Sequence, residues 1–161
     1  MKIRSAATAD AEAMCEIYNH EVLQSKSTLD LVPRTLVEQQ QWIADRSGGL
    51  RAVVAELDGQ VVGFASLSFY RDRPGYRGSV EDSVYVDQSA HGTGVGSALL
   101  SELIDAANAH GFHTIMARIV GPQDASVRLH EKFGFAMVGV EREVGRKFGQ
   151  WHDVGLMQLM L

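Results

Sequence analysis

The pattern of apolar and polar positions changes period repeatedly along the chain. Lys2–Ser5 is short and alternating and predicts a first strand. Met14, Ile17, Tyr18 and Val22 then recur at helical spacing, which predicts a helix capped by Thr8, with Asp10 and Glu12 in its first turn. Thr35-Leu36-Val37-Glu38 has a capping-box pattern and predicts a second helix through Trp42, closed near Gly48 and Gly49. Two β-rich runs in RAVVAELDGQVVGFASLSFY meet at Asp58-Gly59, a dipeptide whose ease with left-handed backbone suits a tight hairpin. A loop with Arg71, Arg73, Pro74, Gly75, Tyr76 and Arg77 leads to a strand over 79–86. A glycine-rich loop follows, then an apolar helix ending near Gly111 and a strand over 113–120. A helix over 124–133, stopped by Gly134, precedes strands over 135–140 and 154–161. Helices interspersed among six or seven strands, without repeats or low-complexity linkers, predict a mixed α/β domain on one sheet.

Composition narrows the function classes. A single domain over 1–161 is expected, long enough to bury most of its apolar surface without cross-links. Cys15 is the only cysteine, so no internal disulfide forms and a reducing cytoplasm is the expected home. An apolar helix face accounts for Cys15 better than a nucleophilic role, because no activating pair stands near it. No run of about 18 apolar residues is present to span a membrane, and the first residues have no signal-like apolar core. The formal charge of −5, with no basic block, disfavours nucleic acid and leans toward cationic or zwitterionic small molecules. His110 and His113 lack neighbouring ligand types, so no metal is expected.

Strand, His91-Gly92-Thr93-Gly94-Val95-Gly96, helix is the most informative stretch. The first turn of a helix presents unpaired N–H groups and a partial positive charge, which attract anions. Glycine lets the backbone approach a phosphate with no Cβ in the way. A pyrophosphate fits; a tight connection with close helix packing is the alternative. The dinucleotide pattern G-x-G-x-x-G fails, with Ser97 in the last place counted from Gly92 and Leu99 counted from Gly94. A P-loop Gly-Lys-Ser/Thr is also missing. Coenzyme A is the guest left.

Here the chain resembles the GNAT N-acetyltransferase superfamily, whose acyl-CoA loop reads Q/R-x-x-G-x-G/A; residues 91–96 match all but its first position. IYNHEV (17–22), RPGYRGSVEDSVYV (73–86), ASVRLHEKFGF (125–135) and VGRKFGQWHDVGLMQL (144–159) resemble the branch that acetylates phosphinothricin, methionine sulfoximine and methionine sulfone. The resemblance implies a central twisted mixed sheet, flanked by helices and splayed at the cofactor site. It implies acetyl-CoA as co-substrate, its pantetheine arm paired with Val84, Tyr85 and Val86 and its phosphates held by His91, Gly92, Thr93, Gly94, Val95, Gly96 and Ser97. It also implies a homodimer. Two positions depart from the pattern. His91 replaces the usual Arg or Gln beside the phosphates, and Asp124 replaces the Asn that contacts the arm in many relatives. A carboxylate accepts but cannot donate, so Asp124 either reaches the cofactor through water or caps helix 124–133.

The chemistry implied is direct attack by an amine on a thioester, with positioning and oxyanion stabilisation doing most of the work. The backbone N–H near Val86 is the implied oxyanion donor. A group must also take the proton from the incoming ammonium. Glu81 is the first candidate; an outward-facing strand carboxylate is its bland reading. His130, where many members carry a Tyr that protonates the departing thiolate, is the second and can serve as acid or base. Alternation puts Glu81 and Ser83 on one face of the strand and Asp82 on the other. Arg71, Asp72 and Arg73, with Glu81, Asp82 and Ser83, match the branch's substrate site, arginine forks suiting a carboxylate. The expected product is an N-acetylated small amino acid or analogue. A protein N-terminus or polyamine as acceptor, or a non-enzymatic acetyl-CoA sensor, are the rival readings.

Overall fold

The computed structural model describes residues 1–121 and 124–161, the side chain of Asp124 excepted. In chain order the elements are β1 (Lys2–Ser5), α1 (Ala11–Gln24), α2 (Leu36–Ala44), β2 (Val53–Leu57), β3 (Gln60–Phe69) and β4 (Ser79–Val86). There follow α3 (Val95–Ala109), β5 (Thr114–Val120), α4 (Asp124–Lys132), β6 (Ala136–Lys147) and β7 (Gln150–Met160). The strands form one seven-stranded sheet in the order β1-β2-β3-β4-β5-β7-β6. Every neighbouring pair is antiparallel except β4 and β5.

Alternation along the strands feeds two cores. Val53, Ala55, Ala65, Leu67, Val80, Ile115 and Ala117 pack against Leu99, Leu100 and Leu103 of α3. Val54 and Phe64 point the other way, into Met14, Ile17, Tyr18 and Val22 of α1 and Ile43 of α2. Full burial of each such side chain contributes about 1.5–3 kcal/mol, so the three leucines alone hold the start of α3 firmly against β3 and β4.

Asp58-Gly59 makes the expected hairpin, with φ of 50° and 80°. Thr35 and Glu38 form the expected reciprocal cap, Glu38 N–H to Thr35 Oγ1 at 3.3 Å and Thr35 N–H to Glu38 Oε2 at 2.7 Å. Three expectations are corrected. Thr8 does not cap the first helix: residues Thr8–Asp10 form a single 3₁₀ turn, and the Asp10 carboxylate takes the Ala7 N–H at 2.8 Å and Arg4 at 2.7 Å. An ionised acceptor held by a guanidinium outcompetes a hydroxyl there. The second helix ends at Ala44, before Gly48 and Gly49. Gly49 instead permits close approach, since a Cβ would lie 2.8 Å from His110 Cγ and Phe112 Cε2. The last two strands run together as one long hairpin through Phe148-Gly149, φ 53° and 74°. A phenylalanine in the first left-handed position conceals the turn, and the charged, exposed edge strand β6 reads as loop.

Candidate active site

β4 and β5 pair for three residues only, Ser79 with Thr114, Val80 with Ile115 and Glu81 with Met116. Beyond Glu81 each strand follows its outer neighbour. β4 stays paired to β3 as far as Val86 with Gly63, and β5 to β7 as far as Val120 with Val154. The sheet therefore opens into a V whose walls are residues 82–86 and 117–120. The Asp87 N–H donates to Val62 O and the Tyr70 N–H to Ser79 O, so odd-numbered β4 amides face β3. The N–H and C=O of Val84 and Val86 consequently face the gap. A cavity of about 510 Å³ occupies it, lined by both strands, the glycine loop, α4 and residues 27–29.

The glycine loop closes the wide end of the V. Gly92 and Gly94 have φ of 76° and 90°, and, their chain neighbours aside, nothing among the described residues lies within 4 Å of where their Cβ atoms would be. Backbone of this shape above open space is a cradle. Gly94 is also the N-cap of α3 and supplies no side-chain cap to its first turn. Lys132 adds an ammonium at the same end, donating to Ser97 Oγ at 3.3 Å. These donors suit a diphosphate. His91 lines the cavity, and its Nε2–H donates to Val86 O at 3.0 Å, tying the loop to the strand. Thr93 donates its hydroxyl to Ala90 O at 2.7 Å and braces the loop from within.

One face of the gap carries Glu81 and Ser83. Burial pushes the Glu81 carboxyl up from its ordinary value, and the charge of Arg118 opposes that rise. Arg118, on β5, donates to Glu141 Oε2 of β6 at 2.7 Å. Arg71 is close enough for its charge to act on Glu81, while its guanidinium donates to Tyr70 Oη at 3.4 Å. Arg71, Asp72 and Arg73 together line a separate shallow depression with Phe69, Tyr70 and Tyr76. Residues 27–29 also line the cavity. Lys147, 2% exposed, pins that segment by donating to Thr28 O at 2.7 Å and Glu21 O at 3.2 Å.

The other face carries Asp82 and His130. His130 donates Nδ1–H to Ser126 O at 2.7 Å, and its Nε2 lies 2.9 Å from Asp82 Oδ2. A carbonyl can only accept, so a proton sits on Nδ1, and the second contact shares a further proton between ring and carboxyl. Burial opposes charge on the ring, but the Asp82 hydrogen bond and its charge outweigh this and raise the His130 pKa. Asp82 Oδ1 is buried without a partner among the described residues, although Asp82 lines the cavity.

Val84, Tyr85, Val86, His91, Gly92, Gly94, Val95 and Gly96 all line the same cavity as Glu81, Asp82, Ser83 and His130. Asp124 opens α4, but its side chain lies outside the described residues, so neither of its two expected roles is assigned. Arg118, Glu141, Lys132 and Lys147 went unnoticed in the sequence. Arg118 had a signal, being the lone charge in the apolar run TIMARIV. No group of three or more metal-ligating side chains occurs among the described residues.

Comparison with known proteins agrees with this geometry. A profile of the Acetyltransferase (GNAT) family matches residues 11–135. The L-methionine sulfoximine/L-methionine sulfone acetyltransferase of Pseudomonas aeruginosa is 38% identical over 161 residues, covering 99% of this chain and 94% of that protein. The crystal structure of a GNAT superfamily phosphinothricin acetyltransferase from Sinorhizobium meliloti, in complex with AcCoA, superposes with a TM-score of 0.96. It is 37% identical, with 99% of this chain and 88% of that one covered. A ribosomal-protein-alanine N-acetyltransferase from Brucella melitensis superposes with a TM-score of 0.97 at 40% identity, both chains covered in full.

Proposed function

This chain belongs to the Acetyltransferase (GNAT) family and is an acetyl-CoA-dependent N-acetyltransferase, and from that premise we propose that it acetylates the α-amine of a small amino acid or analogue. The single observation behind this is the parting of β4 from β5 immediately after Glu81. It leaves the Val84 and Val86 backbone, Glu81 and the glycine loop around one cavity, and that grouping supports the reading.

Acetyl-CoA, when bound, supplies an acetyl group activated as a thioester. The residues do the rest. The open backbone at Gly92 and Gly94, the first turn of α3 and Lys132 hold the diphosphate. Val84 and Val86 offer N–H and C=O groups along the gap as a strand edge does, and the Val86 N–H is the donor for developing negative charge on oxygen. Glu81 accepts the proton of the acceptor ammonium, directly or through one water. His130 and Asp82 keep a proton on the opposite wall. On the Glu81 face an acid beside arginines suits a zwitterion.

Purified protein given acetyl-CoA and methionine sulfone, methionine sulfoximine or phosphinothricin is expected to release free thiol. No release with any of the three would overturn the assignment. The Brucella homologue's name favours a peptide N-terminus as second reading, so an alanine-initiated peptide and a polyamine belong in the same panel. Faster release with either would replace the amino-acid reading.

Gly94→Ala is expected to weaken acetyl-CoA binding at least about tenfold in calorimetric titration, because a left-handed alanine costs roughly 1–2 kcal/mol and fills the cradle. Unchanged affinity would remove the loop from the cofactor site.

We further propose a homodimer in the cytoplasm. Met137, Val138 and Val140 of the edge strand β6, Phe148 in the turn after it and Trp151 of β7 expose apolar surface, and a second copy of that patch covers it. Light scattering is expected to give the mass of two chains; a monomer at micromolar concentration would refute it.

A further inference from the structure

β5 exposes an arginine where the sheet has just opened. Ile115, Ala117 and Ile119 pack on the α3 side, so alternation turns Arg118 to the opposite face, with Glu81 and Ser83. Met116 is the last β5 residue paired to β4, opposite Glu81, and Arg118 follows it by two residues. Arg118 therefore stands across the gap from Ser83, at the narrow end of the V, and lines the cavity. Its guanidinium is held along one edge by Glu141, Nη2 to Oε2 at 2.7 Å and Nη1 to Oε1 at 3.5 Å. A guanidinium has further N–H donors on its remaining edge, and this side chain stays 31% exposed. The site thus pairs a proton-accepting carboxylate with an oriented cation on the same face. An α-amino acid carries its ammonium and its carboxylate on one carbon, and matches that pairing in sign.

We propose that Arg118 binds the α-carboxylate of the acceptor, and that Glu141 orients the guanidinium while its negative charge weakens that grip. The inference rests on the amino-acid acetylation proposed above. It makes Arg118, rather than the exposed arginines of the 71–77 loop, the residue that distinguishes an amino acid from a simple amine. A peptide N-terminus has no carboxylate at that distance from its amine and gains nothing from Arg118.

The test compares methionine sulfone with its carboxamide, which keeps the amine and loses the charge. The wild type is expected to prefer the carboxylate. Arg118→Ala should raise the KM for methionine sulfone about 10- to 100-fold, as expected for losing a hydrogen bond between charged groups. At alkaline pH, where Glu81 is ionised with or without Arg118 beside it, the carboxamide KM and the acetyl-CoA affinity should stay unchanged. Glu141→Gln keeps an acceptor oxygen for Arg118 but removes the competing charge, and should lower the KM for methionine sulfone severalfold with no effect on the carboxamide. A merely structural ion pair would make both variants move both acceptors the same way, and that result overturns the inference alone. A wild type that acetylates neither compound overturns the functional proposal, and the inference with it.

Discussion

Glu81→Gln is expected to lower kcat at neutral pH by about 10²–10³-fold, the usual scale for removing a positioned proton acceptor. The KM for the acceptor should rise only severalfold, because glutamine keeps the shape and a carbonyl oxygen and loses only the charge that faces the ammonium. The pH profile carries the decisive information. Burial raises the Glu81 carboxyl above its ordinary value. Only the ionised carboxylate takes a proton, so wild-type activity should climb as pH rises through that raised value. The variant lacks this limb and should follow the acceptor's own amine ionisation, closing on the wild type at alkaline pH. A ratio constant across pH would make Glu81 a structural or binding residue. Stability offers a control. A carboxyl whose folded pKa is raised loses stability as pH rises above its unfolded value, so the variant should melt no lower than the wild type near neutrality. A large fall in melting temperature would signal misfolding rather than lost catalysis.

His130→Ala should destabilise the fold by about 3–5 kcal/mol, because it leaves the Asp82 carboxylate buried with neither oxygen paired. For a chain of this size that corresponds to a fall of roughly 10 °C in melting temperature. Asp82→Asn should cost less, since its amide can donate to a neutral His130 ring. The pH dependence separates the ion pair from simple packing. The His130 pKa is raised on folding by Asp82, against the effect of burial. The pair's contribution is therefore complete below about pH 6.5, the unfolded value, and lost as pH rises through the folded one. Urea unfolding between pH 6 and pH 9 should show that decline in the wild type and a flatter line in Asp82→Asn. Equal slopes would dismiss the pair as its origin. His130 and Asp82 also line the cavity, and His130 is a proposed acid or base of the reaction. Losing the pair should thus depress kcat as well as stability.

Both experiments bear on one feature. Glu81 and Asp82 are neighbours on β4, yet they lie on opposite faces of the strand; Glu81 is half-buried within reach of the charges of Arg118 and Arg71, whereas Asp82 is buried and paired with His130. Environment rather than residue type separates the two acids, and the proposed division of labour between them rests on that difference.

Local physics determined much of this protein from sequence alone. Left-handed preference at Asp58-Gly59 announces a hairpin, and alternation in SVEDSVYV already separates Glu81 and Ser83 from Asp82. The glycines of 91–96, between strand and helix, announce left-handed backbone at the start of α3, because cap chemistry and backbone freedom act within a few residues. Contacts between distant segments were a different matter. Asp82 meets His130 across 48 positions, Lys132 reaches Ser97 across 35, and Arg118 meets Glu141 across 23. Periodicity says which way each side chain points, not which partner waits there. The length of the β6–β7 hairpin was hidden for a related reason, since pairing with β7 sustains a charged edge strand that local preference would end. The opening of the sheet is also tertiary. β4 and β5 part because each keeps its ladder with a different outer neighbour, and no property of either strand by itself records that choice.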